Sequence, residues 1–130
     1  MELGDILATM PFAVATGIVL DSAAAEEVRG HLAWSAERCT TAGLMHGGAV
    51  MTLADTVGAV CAFLNLPAGA STSTISSSTN SFRAVRDGEL RATTRPLHTG
   101  RTTIVVQTEL RDSSDKLVAL VTQTQAVLAG

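Results

Sequence analysis

Two glycines followed by an acid are the most chemically suggestive feature of this sequence. Gly47-Gly48 open an apolar segment, and the first N–H groups of a helix have no partner inside it and point outward with the positive end of its dipole. Such groups can hold an oxyanion, and the missing side chain lets a carbonyl approach the backbone closely. The same pair also reads as a tight turn. Asp55 falls in the middle of the segment, where a carboxylate must be neutralised, paired or kept for use. Thr52, Thr56 or the backbone could bind it. Gly47 and Asp55 are eight residues apart, roughly 12 Å along a straight helix, so both cannot touch one carbonyl carbon. If both act on one bond they come from different subunits, and a two-fold dimer with antiparallel helices would set Gly47 of one chain beside Asp55 of the other.

The cysteines offer less. Cys39 lies seven residues before His46, a possible thiol and base, but no third residue to orient the base is evident. Cys39 and Cys61 are 22 residues apart without CxxC or histidine spacing. Neither a zinc site nor a disulfide framework is indicated, which fits a reducing cytoplasm. We expect no metal and no cofactor.

The elements that must position these groups follow from periodicity. Glu2 to Thr9 reads as a short helix. Phe12 to Leu20 and Glu27 to Ser35 read as extended, the second alternating Val28, Gly30, Leu32 and Trp34 with Arg29, His31 and Ala33, like a hairpin with one wet face. A polar stretch, Ala36 to Gly43, leads into the apolar run Leu44 to Leu66, which stops at Asn65-Leu66-Pro67-Ala68-Gly69. Apolar residues lie on every side of that run, as expected of a helix enclosed by its own sheet and a neighbour. Ser71 to Ser81 holds nine Ser or Thr in eleven residues. It reads as a linker by composition, but its threonines, Ile75 and the rarity of long structureless loops in small domains favour a strand. Glu89 to His98, Arg101 to Arg111 and Lys116 to Leu128 are further strands with turn signals at Arg86-Asp87-Gly88, Thr99-Gly100 and Asp112-Ser113-Ser114-Asp115, so an antiparallel meander follows the helix. The expected fold is α+β, with an antiparallel sheet wrapped around one long central helix.

Bulk properties exclude several functions. A chain of 130 residues with 46% hydrophobic and 16% charged residues leads us to expect one folded domain, with apolar surface to spare for another subunit. A net charge of −3 and four aromatic residues argue against nucleic-acid binding. A net positive charge, a local plus three, is carried by residues 83 to 101, where Arg83, Arg86, Arg91, Arg95 and Arg101 face only Asp87 and Glu89. The N-terminus lacks the features of a signal peptide. The apolar run, with Asp55 at its centre and no close Lys or Arg, suits a buried core helix better than a membrane span.

The pattern His46-Gly47-Gly48-Ala49-Val50-Met51-Thr52-Leu53-Ala54-Asp55, together with Phe82-Arg83, Arg86-Asp87-Gly88-Glu89 and His98-Thr99-Gly100-Arg101-Thr102, resembles the hotdog-fold acyl-CoA thioesterases of the phenylacetate-pathway and 4-hydroxybenzoyl-CoA thioesterase type. The likeness covers about residues 11 to 128. It implies a hotdog fold, as a dimer or dimer of dimers, in which Gly47 offers its N–H to the thioester carbonyl. Asp55 of the other subunit would act as nucleophile or general base, with Gly48 beside the substrate. His46 is a candidate general acid or a residue ordering the loop before the helix. Relatives usually carry Asn or Gln where this chain has Thr40, so a polar contact near the thioester or its water is replaced or missing. Thr74, with Ser73 and Ser76 nearby, is the nearest match to a hydroxyl that orients water, and Ala84 stands where a turn proline is common. Arg83, Arg86 and Arg101 resemble positions that meet the phosphates of coenzyme A, although charged residues on wet strand faces read the same way.

The resemblance and the bulk properties together lead us to expect a single domain, residues 1–130, that hydrolyses an acyl-CoA without metal, nucleic acid or membrane, as a cytoplasmic homodimer or homotetramer. An acyl-CoA-binding or regulatory hotdog domain without turnover is the alternative. A hotdog hydratase or dehydratase is disfavoured, since no DxxxxH-type pairing of acid and histidine opens a helix.

Overall fold

The computed structural model describes residues 2–130. Two short helices, α1 (Leu3–Ala8) and α2 (Pro11–Thr16), precede the hairpin of β1 (Val19–Ala24) and β2 (Glu27–Ala33). Two single 3₁₀ turns lead into α3 (Gly47–Leu64), which is followed by β3 (Ser71–Ser81), β4 (Glu89–Thr99), β5 (Thr103–Arg111) and β6 (Leu117–Leu128). The six strands form one sheet in the order β1-β2-β4-β5-β6-β3, every pairing antiparallel. As expected, the sheet wraps one long helix, and the Ser/Thr-rich segment is a strand.

Two expectations need correction. Phe12 to Thr16 is helical, not extended: Pro11 sits in the first turn of α2, where its missing N–H costs nothing, and Gly17 ends the helix at φ 97°, a left-handed conformation that suits glycine. The strand begins only at Val19. The second correction concerns β3, which does not continue into a local meander but crosses to the far edge and pairs with β6, Ser71 opposite Leu128 and Ser81 opposite Ala119. Its other edge has no neighbour among the described residues.

The core lies between α3 and the inward face of the sheet. Leu53, Ala54, Val57 and Cys61 of α3 are fully buried against Val28, Leu32, Leu90, Ile104, Val106 and Leu110. Alternation along β2 and β5 places these strand residues on one face. Gly30 brings helix and sheet together, because a Cβ there would lie 2.9 Å from the Val19 carbonyl oxygen and 3.0 Å from Val57 Cγ2. Trp34 falls just beyond β2 and donates its indole N–H to the Gly43 carbonyl at 3.0 Å. α3 has the length and mean hydropathy, 1.6 over 18 residues, to cross a membrane, yet half of it is buried inside the protein. Its uncovered side carries Gly47, Met51, Asp55 and Phe63.

Candidate active site

The loop before α3 is built to present its N-terminus. Met45 donates its N–H to the Val85 carbonyl and His46 donates its own to Arg38, so the chain is held on both sides as it enters the helix. His46 is the N-cap, and its Nδ1 accepts the Gly48 N–H at 2.8 Å. That bond leaves the proton of a neutral ring on Nε2 and occupies the Gly48 N–H. The Gly47 N–H has no acceptor among the described residues, and a Cβ on Gly47 would meet nothing within 4 Å. One donor therefore faces open space at the positive end of an 18-residue helix.

Asp55 is exposed, and its carboxylate accepts a hydrogen bond of 2.8 Å from the amide of Gln123, on β6. The partners anticipated from sequence, Thr52 and Thr56, are not used: Thr52 donates its hydroxyl to the Gly48 carbonyl instead. Gln123 is the residue the sequence reading missed. Its signal was the inward-facing series Val121, Gln123 and Gln125, two buried amides at positions where a strand under a helix normally places aliphatic side chains.

A cavity of about 410 Å³ opens beside Asp55, lined by Met10, Phe12, Met51, Ala59 and Val121 with the hydroxyl residues Ser77 and Thr79. A second, almost wholly apolar hollow of about 350 Å³ shares Met10 and Ala59 with it and runs on toward Phe63. Thr74 is not in either lining; its hydroxyl accepts the Gln125 amide at 2.9 Å. The register shift between Thr74 and Ser76 turns Ser77 and Thr79 toward the helix instead. The buried Thr79 hydroxyl has no partner among the described residues.

Other anticipated residues lie elsewhere. Thr40 is exposed, opens the Thr41–Gly43 turn and lines neither hollow. Cys39 and His46 line an adjoining hollow of about 510 Å³ with Arg38, which shares Phe12 and Thr52 with the cavity beside Asp55, and the Cys39 thiol donates to the Ser35 carbonyl at 3.3 Å. Burial pushes the Cys61 thiol up to about 11. Arg83 and Arg86 share the exposed loop before β4, at the N-terminal end of α3. Arg101 sits in the turn after β4, so the eleven residues of that strand, roughly 33 Å, keep the three guanidiniums from one phosphate cluster within a single chain. Ala84 sits in the loop that holds Met45. Among the described residues no three His, Cys, Asp or Glu side chains converge where a metal ion could sit.

Sequence and structure comparisons agree on the kind of protein this resembles. The sequence profile of the thioesterase superfamily matches residues 42–119. The 1,4-dihydroxy-2-naphthoyl-CoA hydrolase of Escherichia coli is 33% identical over 86 residues, 66% of this chain and 63% of that protein. The chain spans 57% to 63% of the length of four such curated relatives. A thioesterase structure from Haemophilus influenzae superposes with a TM-score of 0.92 at 24% identity, covering 99% of this chain and 92% of that one. A conserved protein of Pseudomonas aeruginosa gives a TM-score of 0.85 at 32% identity, covering 90% and 93%.

Proposed function

Because the chain belongs to the thioesterase superfamily and has the hotdog fold of its solved relatives, we propose that residues 1–130 act as a single domain that hydrolyses acyl-CoA thioesters. The observation that carries the reading is the pair of groups on the uncovered side of α3: a Gly47 N–H without an acceptor among the described residues and an Asp55 carboxylate held at the mouth of an apolar hollow. The hollow suits an acyl or aryl group, and the E. coli relative that hydrolyses a naphthoyl-CoA supports coenzyme A as the carried thiol.

The active unit in this proposal is a homodimer, with a further pairing to a tetramer compatible with it. The bare edge of β3 and the uncovered side of α3 offer a second copy adjoining surfaces. A two-fold axis there would set Gly47 of one chain against Asp55 of the other. The Gly47 N–H then stabilises negative charge on the carbonyl oxygen. Asp55 takes a proton from water as the hydroxide adds to the carbonyl carbon. Collapse of the tetrahedral intermediate breaks the C–S bond, and the departing thiolate takes up a proton. Direct attack by Asp55, with hydrolysis of the resulting mixed anhydride, is the other use of the same carboxylate.

Within this scheme His46 serves as a cap and the Ser77 and Thr79 hydroxyls take the water-orienting place anticipated for Thr74. Arg83 and Arg86, beside the helix N-terminus, are the better placed for coenzyme A phosphates; Arg101 would have to act from the partner. The test is Asp55→Asn assayed for thiol release across aryl, short, medium and long acyl-CoAs. We expect a loss of about 100-fold or more in kcat. Retained turnover would overturn the reading, and tight acyl-CoA binding with no turnover by the unaltered protein would replace it with a binding domain.

A further inference from the structure

We propose that Gln123 is the positioning residue of Asp55 and that Gly58 is the space that admits it. This rests on the hydrolase reading above and assigns a role to a residue outside the motif on α3.

Gln123 is fully buried on the inward face of β6. An amide in such a place is unfavourable unless its donors and acceptor are met. Gln123 meets only part of that need: Nε2 donates to Asp55 Oδ1, while Oε1 is buried without a partner among the described residues. The neighbouring Gln125 differs, since its Nε2 donates to Thr74 and its Oε1 lies 3.3 Å from the Thr72 hydroxyl, whose proton it shares with the Ala126 carbonyl at 2.9 Å, so both ends face partners on β3. Gln125 stitches the sheet. Gln123 reaches out of the sheet to one carboxylate oxygen and leaves the other oxygen for chemistry.

The chemical type of the partner matters. A lysine or arginine at this position would hold Asp55 equally well but would neutralise it and weaken it as a base or nucleophile. A neutral amide fixes the orientation without cancelling the charge.

The helix is shaped to receive this side chain. Gly58 lies three residues after Asp55 on the same side of α3, and a Cβ there would overlap Gln123 Oε1. Glycine in the middle of a helix is unfavourable relative to alanine, and no turn or positive φ requires it at this position. What it provides is room for the amide.

Gln123→Met keeps the volume and removes the donor. We expect kcat to fall about 10- to 100-fold, the range for lost orientation of a reacting group, with KM within about twofold and an unchanged or higher Tm, since an unpaired buried oxygen is also removed. Gln125→Met should do the reverse, lowering Tm with kcat nearly unchanged. Gly58→Ala reaches the same contact from the helix and serves if Gln123→Met does not fold. It should lower kcat in the native background and leave it unchanged in the Gln123→Met background. If Asp55→Asn abolishes turnover while Gln123→Met or Gly58→Ala retains kcat, the positioning role is wrong and the hydrolase reading stands. If Asp55→Asn itself retains turnover, the hydrolase reading has failed first.

Discussion

Gly47 and Asp55 share the uncovered side of α3 but are eight residues apart on it, about 12 Å of axial rise. No bending of side chains closes that gap, because one of the two groups is a backbone N–H.

The gap makes complementation between defective chains a sharp prediction. Gly47→Pro deletes the donor at the one helical position where proline is well tolerated, and His46 already has the extended backbone, φ −60° and ψ 134°, that precedes proline comfortably. Gly47→Pro and Asp55→Ala chains should each be inactive alone. Random reassociation in equal amounts makes half the dimers mixed, each with one intact site of two, so about a quarter of native activity should return. Mass spectrometry would verify the heterodimers; their inactivity would rule out a site shared between chains.

Thr94 and Thr108 face each other on β4 and β5 with hydroxyls 2.6 Å apart, both fully buried. Thr94→Val should leave the Thr108 hydroxyl unsatisfied and cost about 1–3 kcal/mol. Replacing both with valine removes the need as well as the bond, so the double variant should be more stable than the single. Urea unfolding measures both, and additive losses would show that the two hydroxyls do not act as a pair.

Stability should fall with acid through Glu27. The hydrogen bond from Arg29, aided by the charges of Arg29 and Arg95, holds the Glu27 carboxyl below its ordinary 4.5. A carboxyl lowered by folding contributes above its unfolded pKa, and the contribution is lost as pH falls through the folded value. All three side chains are substantially exposed, so the effect is small. Glu27→Gln should flatten part of the decline in Tm between about pH 5 and pH 3. Parallel curves for the two proteins would show the ion pairs to be thermodynamically silent.

Local order was readable from the residues, and long-range pairing was not. The three strands after Ser71–Ser81 were legible because alternation and short turns are local signals, and Ser71–Ser81 itself from its threonines, Ile75 and the rarity of long structureless loops. α2 was missed because a six-residue helix is too short to show a period. The placement of β3 beside β6 joins segments such as Ser71 and Leu128, which no turn between them encodes. In the site, Gly47 and Asp55 announced themselves by type and spacing. Gln123 did not, because it lies 68 residues from Asp55 and becomes meaningful only when the sheet closes over the helix.

An eleven-residue strand with one bare edge is ordinarily a template for runaway strand addition. Fibre growth also needs side chains that interlock in a dry seam, and β3 carries hydroxyls at nine of its eleven positions. The strand therefore exposes main-chain groups with little apolar surface beside them to reward stacking into aggregates. Serine and threonine let the bare edge stay wet.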